Sequence, residues 1–479
     1  MKTFKNFKSF SALVATFVMV FCNFTASAQE FSTEQAGGLE IIPGQYIVKM
    51  KSAPNGSDLA IAGAESTERP GEDEGVQRIK NLRSSNLAKV SRVAEKGGVA
   101  KNNVIHEYSN VMIGFSAKLS ADQVKKLKQD PEVEGVYPDY VIKLSPVQAG
   151  EGPTVAATQV TPCGIANAGG PVDGSTKATW IWILDTGIDY NHPDLNVQTN
   201  ATYAKSFITG QTIMDGNSHG THCAGIAAAK NNTFGVVGVS AGAKVVPVKV
   251  LSNAGTGSFS GIIAGLNHVA SKKISGDVVS MSIGAYPLAN CENANPVLRD
   301  VIRNLGNAGV WVVMAAGNDA DANGTAKNMP GCINGNRVLT VGSITCQNTC
   351  SGFSNFGIGT DWVAVGSNVY STIPGGGYGY KSGTSMATPT VAGICHARNN
   401  YPLNAGNINC GVAFILGQDG KCEGIHVRGV LKIPRTRCPI QCIIFLEAVL
   451  KPKIDNHSLF FAAQKKRTVI KSISAKLFF

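Results

Sequence analysis

Three polar residues in the middle of the chain are of the types that together activate a serine hydroxyl. Asp185 directly follows an apolar run, His219 begins a segment of small residues, and Ser385 lies in Gly383-Thr384-Ser385-Met386-Ala387. A serine hydroxyl is a weak nucleophile until a positioned imidazole takes its proton, and the imidazole needs a carboxylate to fix its tautomer. Asp, then His, then Ser is one of three known chain orders for this arrangement. The pattern therefore predicts nucleophilic attack on a carbonyl group by Ser385.

Other chemistries use some of the same residues. Asp185-Thr186-Gly187 is also the signature of aspartic proteases, but these need two carboxylates that share a proton, and the chain has one such motif. His219 and His222 could ligate zinc, yet no Glu lies between them as in the H-E-x-x-H motif. Cys223 lies on the same helical face as His219. It is either a nucleophile itself or, as we expect, a buried free thiol behind the histidine.

The elements that must position these residues alternate between apolar runs and helical stretches. Continuous apolar strands that alternate with helices indicate an α/β fold with a mostly parallel sheet buried on both faces. In such folds the chemistry lies at the carboxyl ends of the strands. The predicted strands are residues 180–184, 245–250, 278–282, 310–315, 338–342 and 362–365, and the predicted helices are 219–230, 258–271, 296–307 and 385–398.

A separate small α+β unit is predicted ahead of this region. Tyr46-Ile47-Val48 and residues 111–117 have the composition of strands, and apolar residues recur at helical spacing over 76–93. Ser120-Ala121-Asp122-Gln123 is a capping box that begins a helix, and residues 136–140 close the unit. A linker rich in Gly, Pro, Ala and Thr follows at residues 151–158, and such segments are natural sites of proteolysis.

Further motifs follow the predicted strands. They are Ser282-Ile283-Gly284, Ala315-Ala316-Gly317-Asn318-Asp319 and Phe353-Ser354-Asn355-Phe356-Gly357. Together with the segments around Asp185, His219 and Ser385, they make the chain resemble the subtilisin-like serine proteases, in particular the secreted proteinase K-like branch. The N-terminal unit, which ends in Tyr137-Pro138-Asp139, resembles the inhibitory propeptide of that family.

The resemblance implies a role for each catalytic residue. Ser385 would be the nucleophile, His219 the general base and then acid, and Asp185 the group that orients His219. Asn318 and the backbone N–H of Ser385 would stabilise the oxyanion of the tetrahedral intermediate. The expected activity is hydrolysis of peptide bonds in proteins or peptides through an acyl-enzyme, by an enzyme made as a self-processing zymogen.

The resemblance also implies a substrate site. Ser282-Ile283-Gly284 would pair with an extended substrate strand. Ala315-Ala316-Gly317 would form a wall of a mainly apolar pocket for the side chain before the scissile bond. The propeptide would occupy the same place as a product-like strand and would be cut in the linker near residues 155–158.

No cofactor is expected for the chemistry, but a structural calcium site is. Asp194 and the loop around Asn232 are similar to the tight calcium site of the family, and Gln159 would supply a further ligand. Carboxylate, amide and backbone carbonyl oxygens suit this hard cation. The alternative is an ordinary turn closed by Asn side chains.

The N-terminus predicts export. Lys2, Lys5 and Lys8 precede an apolar stretch over residues 12–24, and Ala26-Ser27-Ala28 offers the cleavage pattern of a secretory signal peptide. A membrane anchor is the alternative, but the stretch is shorter than the roughly 20 residues that a bilayer requires. We expect a secreted, soluble monomer.

The charge of the chain is concentrated at its ends. The formal net charge is +11, yet the segment from Ile394 to the end alone holds 13 Lys/Arg against 4 Asp/Glu. The body of the chain is close to neutral, which argues against nucleic acid or an anionic membrane as a partner.

The cysteine count predicts disulfides and at least one unpaired thiol. Eleven of the 12 Cys remain after the signal peptide that contains Cys22 is removed, and an odd number leaves one thiol free or paired between chains. We expect the bridges Cys291–Cys332 and Cys346–Cys350.

The resemblance ends near Leu403, and this sets the expected domain limits. We expect a signal peptide at residues 1–28, the propeptide at 29–155, the catalytic domain at 156–404 and an atypical basic tail at 405–479. The tail is either a mis-spliced or frame-shifted translation or a divergent extension. If it alters the domain, the rival hypothesis is an inactive secreted homologue that acts as a binding or inhibitor module.

Overall fold

The computed structural model describes residues 35–36, 39–53, 56–61, 74–144, 148–149, 158–288, 291–409 and 413–417. All of them belong to the second of two units of the chain, which begins at Gln35. The predicted signal peptide, linker residues 151–157 and tail residues 418–479 lie outside the described residues.

The N-terminal region folds as the predicted α+β unit. Ser120 and Gln123 form the predicted reciprocal capping box, which satisfies two backbone N–H groups at the start of a helix. An apolar core that includes Val48, Val93 and Phe115 lies between the helices and the strands. The elements are β1 (Gln35–Ala36), β2 (Leu39–Met50), α1 (Glu74–Lys96), β3 (Val104–Tyr108), β4 (Gly114–Lys118), α2 (Ala121–Gln129), β5 (Val133–Lys143) and β6 (Gln148–Ala149).

The larger region contains every strand and helix predicted for it, with bounds that differ by at most two residues. Its first elements are α3 (Cys163–Asn167), β7 (Val172–Asp173), β8 (Ile181–Asp185), β9 (Asn196–Val197), β10 (Lys205–Ser206), α4 (His219–Ala228), β11 (Ser240–Ala241), β12 (Lys244–Lys249), β13 (Thr256–Ser258), α5 (Phe259–Ala270) and β14 (Val278–Met281). The others are α6 (Cys291–Ala294), α7 (Pro296–Asn307), β15 (Trp311–Ala315), β16 (Val338–Ile344), β17 (Trp362–Val365), β18 (Val369–Ile373), β19 (Gly377–Ser382), α8 (Thr384–Arg398), β20 (Asn404–Asn409) and β21 (Ala413–Gly417).

The central sheet is parallel and buried on both faces, as the continuous apolar runs predict. Its strand order is β10-β12-β8-β14-β15-β16-β17, with β9 also paired to β12. Successive residues of β8 alternate between two cores: Trp182 and Leu184 pack on the side of α5 and α7, while Ile181 and Ile183 pack on the side of α4 and α8. The fold is therefore α/β with a mostly parallel sheet.

The N-terminal unit and the larger region share a second sheet. Strand β5 of the N-terminal unit pairs antiparallel with β13, with Ile142 opposite Gly257. On the helical side, Lys49 forms an ion pair with Asp300 of α7 at 2.7 Å. The two parts of the chain thus meet along a strand edge and along helices α5 and α7.

One of the two predicted disulfides is confirmed and the other is wrong. Cys291 is bonded to Cys332, but Cys346 is bonded to Cys163 at the start of α3 rather than to Cys350. Ile344 and Cys350 pair as an antiparallel bridge, so Cys346 lies in the turn between them. From that turn its side chain reaches α3, a contact across 183 residues that local spacing does not indicate.

The chain beyond α8 continues as a hairpin for as far as it is described. Strands β20 and β21 pair antiparallel, with Ile408 opposite Phe414. Across the described ranges, no helix combines the length and the apolar character that a membrane span requires.

Candidate active site

Asp185 and His219 are in direct contact at the carboxyl edge of the central sheet. Asp185 ends β8, His219 begins α4, and both carboxylate oxygens of Asp185 lie 2.8 Å from His219 Nδ1. Both side chains are about 1% exposed. Gly220 permits this approach, because a Cβ there would lie 2.1 Å from the carbonyl oxygen of Gly187. The carboxylate therefore holds the proton on Nδ1 and leaves Nε2 as the basic nitrogen.

The surroundings of His219 favour its protonated form. Burial alone lowers the pKa of the imidazole, but the negative charge of Asp185 and its hydrogen bond outweigh burial and raise the pKa of His219 well above its usual value of 6.5. The contact thus stabilises the imidazolium that forms when the histidine accepts a proton.

A buried aspartate that sequence reasoning missed holds the start of α4. The Asp215 carboxylate accepts hydrogen bonds from the backbone N–H groups of Asn217, Ser218 and Thr221, each at 2.9 Å. It also accepts from the hydroxyl of Thr186, the residue after Asp185, at 2.9 Å. The Asp215 carboxylate therefore connects the loop after Asp185 to the start of the helix that carries His219. An acidic residue just ahead of a helix start was the available signal.

Ser385 lies in the first turn of α8, where a proline frees its carbonyl group. Pro389 has no backbone N–H, so the helical hydrogen bond to Ser385 O cannot form. Ser385 O instead accepts from the hydroxyl of Ser282 at 2.9 Å and from the thiol of Cys223 at 3.4 Å. Because Cys223 Sγ also lies 3.9 Å from His219 Nδ1, the thiol contacts both the helix of the serine and the ring of the histidine.

The hydroxyl of Ser385 and the outer nitrogen of His219 are not hydrogen-bonded to each other. Ser385 Oγ donates to the carbonyl of Ser282 at 3.3 Å, and His219 Nε2 is a buried atom with no partner among the described residues. Catalytic hydrogen bonds are often long or misaligned in free enzymes and shorten when substrate binds. The arrangement leaves His219 Nε2 available as an acceptor for a hydroxyl proton.

Cys223 is the buried free thiol that the sequence predicts. It is fully buried and not part of a disulfide. Burial raises the pKa of the thiol, which keeps it in the less nucleophilic protonated form. His222 is directed elsewhere, with Nε2 3.0 Å from the carbonyl of Gly379. The pair His219 and His222 therefore does not form a metal site.

Asn318 is held in one orientation by the residue before Ser385. Its side-chain oxygen accepts from the backbone N–H of Thr384 at 2.8 Å and from the Thr384 hydroxyl at 2.9 Å. With the oxygen fixed, the direction of the Nδ2 donor is fixed as well. Thr384 was not singled out from the sequence, since a threonine at a helix start has many local uses.

The segment predicted to pair with a substrate strand, residues 282–284, pairs here with a strand of the N-terminal unit. We call the groove between β13 and residues 282–284 the cleft. Strand β5 enters it: β13 pairs with one edge of β5, and Lys143 forms an antiparallel bridge with Gly284 on the other. Leu144 N donates to the carbonyl of Gly255 at 2.9 Å. Ile283 does not face the cleft but packs in the core.

The chain also pairs on the opposite side of Ser385. Strand β6 lies antiparallel to β19, with Gln148 opposite Ser382 and Ala149 opposite Lys381. The residue paired with β6, Ser382, lies three residues before Ser385 in the sequence. The residue paired with β5, Gly284, lies two residues after Ser282, which is hydrogen-bonded to Ser385. The N-terminal unit therefore has paired segments on both sides of the candidate nucleophile.

Ala315 ends β15, and Asn355 holds the two residues that follow it, Ala316 and Gly317. Asn355 Nδ2 donates to Ala316 O at 3.2 Å, and Asn355 N donates to Gly317 O at 2.9 Å. This accounts for the motif around Asn355, whose amide keeps the strand end in a fixed position.

The predicted calcium ligands lie together. Asn232 Nδ2 donates to Asp194 Oδ1 at 2.7 Å, and Gln159 Nε2 lies 3.0 Å from Lys230 O and 3.4 Å from Asn232 Oδ1. Asp194 is fully buried and burial raises the pKa of its carboxyl, while its hydrogen-bond partners Asn232, Val236 and Tyr378 are neutral. Carboxylate, amide and carbonyl groups are the ligands that calcium prefers. With the amides of Asn232 and Gln159 turned by 180°, their oxygens would face an ion beside Asp194.

Comparisons with known proteins match two regions of the chain to known families. Residues 176–401 match the subtilase family, and residues 45–145 match the family described as peptidase inhibitor I9. A solved structure of a cold-adapted subtilisin-like serine proteinase covers 49% of this chain and 80% of its own, at 31% identity and a TM-score of 0.42.

This chain matches most of the length of several curated relatives. Subtilisin amylosacchariticus from Bacillus subtilis subsp. amylosacchariticus is 35% identical over 64% of this chain and 75% of its own. The alkaline serine protease ver112 of Corniculantispora psalliotae is 32% identical over 75% of this chain and 81% of its own. The cuticle-degrading protease of Metarhizium anisopliae is 36% identical over 60% of this chain and 71% of its own. The chain belongs to the subtilase family of serine proteases and carries a propeptide domain of the I9 type.

Proposed function

We propose that this chain is a secreted zymogen that matures into a serine endopeptidase and hydrolyses peptide bonds through an acyl-enzyme on Ser385. The observation that carries the proposal is the buried contact between Asp185 and His219, next to a helix whose first turn presents Ser385. A carboxylate and an imidazole buried together beside a serine hydroxyl serve the transfer of a proton from that hydroxyl.

The proposed sequence of proton transfers follows from the contacts of His219. Nδ1 keeps its proton in the hydrogen bond to Asp185, so Nε2 accepts the proton of Ser385 as Oγ attacks the substrate carbonyl. The resulting imidazolium, which Asp185 stabilises, then protonates the leaving amine. In the second half His219 takes a proton from water, and the hydroxide hydrolyses the acyl-enzyme.

The oxyanion of each tetrahedral intermediate is assigned to Asn318 and to the backbone N–H of Ser385. The bonds from Thr384 fix the Asn318 amide before the reaction begins, so no reorganisation is needed when charge develops. The N-terminal end of α8 adds a favourable dipole at the same place.

The N-terminal unit is proposed to inhibit the enzyme until maturation. Its strand β5 occupies the cleft, and the fully buried Asp139 accepts a hydrogen bond from Ser260 N, in the first turn of α5, at 3.0 Å. Asn267 Oδ1 of α5 accepts the backbone N–H of Asn110 at 2.9 Å, with Ser109 N and Val111 N at 3.3 and 3.2 Å. These contacts hold a strand across the nucleophile.

Self-cleavage is tested by expressing the full chain and Ser385→Ala side by side in a host without other secreted proteases. We expect the first to lose its N-terminal unit and the second to remain uncut. N-terminal sequencing locates the cut, which the linker composition predicts at residues 155–158. The pairings of β5 and β6 on either side of Ser385 favour an earlier first cut, between Leu144 and Gln148. Equal processing of both proteins would contradict self-cleavage.

We also propose that Asp194, Asn232 and Gln159, with the carbonyl of Lys230, hold a structural calcium ion. When bound, the ion supplies the positive charge that the buried Asp194 carboxylate lacks, and it joins the N-terminal end of the mature chain to the loop after α4. It takes no part in the proton transfers.

Removal of calcium is expected to destabilise the mature enzyme. At a free calcium concentration of 100 times Kd, binding contributes about 2.7 kcal/mol, which corresponds to roughly 5–10 °C in Tm for a domain of this size. Differential scanning calorimetry with and without a chelator measures the change. Asp194→Asn is the control and should abolish the response; a Tm unchanged by the chelator in the unmodified enzyme would contradict the site.

The alternative hypothesis, an inactive secreted homologue, gains no support from the described residues. Asp185, His219 and Ser385 are all present on the elements predicted for them. The α8 helix that follows Ser385 extends to Arg398, beyond the contacts that the site requires.

A further inference from the structure

A fully buried lysine lies at the end of β12, beside the carboxylate that contacts His219. In the parallel pairing of β12 with β8, Lys249 lies opposite Asp185. Lys249 has no exposed surface. Its Nζ atom donates to the carbonyl of Thr186 and, at 2.9 Å, to Asn253 Oδ1. The ammonium group is therefore held against the residue that follows Asp185 in the chain.

The two acceptors of this ammonium are neutral, so the charge of Lys249 is compensated from elsewhere. A buried cation is unfavourable unless negative charge lies nearby. Burial lowers the pKa of Lys249, whereas the negative charges of Asp215 and, to a smaller extent, Asp185 raise it. The ammonium therefore lies in the field of two carboxylates, and Asp215 contributes more than Asp185.

Among the described residues, the hydrogen-bond donors to Asp215 are all neutral. They are the hydroxyl groups of Thr186 and Thr221, at 2.9 and 2.6 Å, and three backbone N–H groups at the start of α4. These bonds stabilise the carboxylate but add no formal positive charge. Lys249 bonds to the carbonyl of the same Thr186, so the cation that balances Asp215 is attached to the same turn.

The balance of these charges acts on the imidazole of His219. Two carboxylates and one ammonium leave one net negative charge near the ring, and formation of the imidazolium brings the sum to zero. Without the ammonium of Lys249, a second uncompensated negative charge would hold the proton on His219 more tightly. The ring would then be protonated, and unable to act as a base, up to a higher pH.

The other titratable groups around His219 do not supply this balance. Cys223, on α4, raises the pKa of His219 through its contact with the ring. His222, also on α4, has its pKa lowered to about 3 by burial and is neutral at the pH of the reaction. Lys381 of β19, whose charge acts on His222, is only partly buried. Of these groups, Lys249 is therefore the fully buried cation.

We propose that Lys249 is a positioning residue whose charge balances that of Asp215, so that His219 faces the net charge of one carboxylate, Asp185. Asp215 can then join the two catalytic elements without adding its negative charge to the site. Lys249 is bonded to Thr186 and Asn253, so it acts on the reaction through the charge that it places beside Asp185. The inference rests on the proposed peptidase function and adds a residue to its catalytic arrangement.

The test measures the pH dependence of kcat/KM for one peptide substrate, with each protein freed of its N-terminal unit by a site-specific protease that cuts within residues 151–157. In Lys249→Met, which keeps a side chain of similar length and removes the charge, the acid limb of the profile should move up by about one pH unit. In Asp215→Asn it should move down, and in the double variant it should lie between the two. Lys244→Met is the matched control and should leave the limb in place, because Lys244 lies at the other end of the six-residue strand.

A loss of packing alone would lower the rate at every pH without moving the limb. An unmoved limb in either single variant, or one that moves in the opposite direction, therefore overturns the inference while leaving the peptidase assignment in place. If neither single variant is recovered as an active enzyme, NMR of the Lys249 side chain in the unmodified enzyme decides: an ammonium at the pH of the acid limb supports the inference, and a neutral amine overturns it. Absence of hydrolysis by the unmodified enzyme would instead contradict the proposed function.

Discussion

Replacement of Ser385 by alanine is expected to lower kcat/KM for peptide hydrolysis by about 10⁶, the size of effect that loss of the nucleophile has in subtilisin. The variant keeps the cleft, Asn318 and the start of α8, so it should bind substrate with little change in affinity. What it loses is the covalent route, because alanine has no hydroxyl with which to attack the substrate carbonyl. The residual rate should stay above that of water, since the oxyanion donors and substrate positioning remain.

This measurement requires that both proteins be freed of the N-terminal unit in the same way. A recognition sequence for a site-specific protease, inserted within residues 151–157, allows the unmodified enzyme and Ser385→Ala to be cut identically. Ser175→Ala is the matched control, because Ser175 is an exposed serine whose hydroxyl, within the part of the chain that the structure describes, bonds to Asp173 nearby. It should change the rate by less than about twofold. A loss in Ser385→Ala of under a hundredfold would contradict a nucleophilic role.

Replacement of Asp185 by asparagine is expected to lower kcat by about 10⁴. The amide can donate a hydrogen bond to Nδ1, which places the imidazole proton on Nε2 and removes the acceptor for the serine proton. The variant also loses the charge that stabilises the imidazolium. The backbone should remain in place, because Asp215, Thr186 and Lys249 hold the same loop through separate bonds.

The pH dependence of kcat/KM distinguishes this role from a structural one. Because the pKa of His219 is raised above 6.5, the histidine is protonated and unable to act as a base below that pKa, and activity rises as pH increases through it. The acid limb of the profile should therefore lie above pH 6.5. In Asp185→Asn the charge of Asp185 is lost and burial, which lowers the pKa of His219, is opposed only by the contact with Cys223, so the limb should move to lower pH. Asp173→Asn, which changes an exposed carboxylate, should leave it unchanged, and an unshifted limb in Asp185→Asn would contradict the assigned contact.

The parts of the fold that were predictable are those in which local pattern and burial agree. The strand at Trp362–Val365 and the helix at Pro296–Asn307 coincide with their predicted bounds. A parallel strand covered on both faces is apolar at most positions, so a short apolar run between helical stretches is a strong signal. The capping box at Ser120 was equally readable, because both of its partners lie within one turn.

The parts that were missed depend on contacts between distant residues. Asp215 has only a general local signal, its place just ahead of a helix, and Thr384 has none of its own, yet the first joins two catalytic elements and the second orients Asn318. Both become visible only when the parallel sheet brings the ends of β8, β14 and β15 to one edge. The role of a buried polar residue depends on its hydrogen-bond partners, and these partners come from distant parts of the sequence.

The wrong disulfide has the same cause. Cys346 and Cys350 are close in sequence, and this proximity is the basis of their predicted pairing. The turn between them is instead closed by hydrogen bonds between Thr345 and Thr349. The side chain of Cys346 forms its disulfide with Cys163, which is 183 residues away in the sequence. Connectivity follows the tertiary fold, which spacing alone does not determine.

The reactivity of the Ser385 hydroxyl is the sharpest test of the proposed catalytic arrangement. The mature enzyme is treated with a serine-directed phosphonate at a pH above the acid limb of its activity profile and digested, and the adduct is located by mass spectrometry. We expect one adduct per molecule, on Ser385, and its loss in His219→Ala. A protein that takes up no phosphonate, or takes it up on another serine, would show that Asp185, His219 and Ser385 do not act as one catalytic unit.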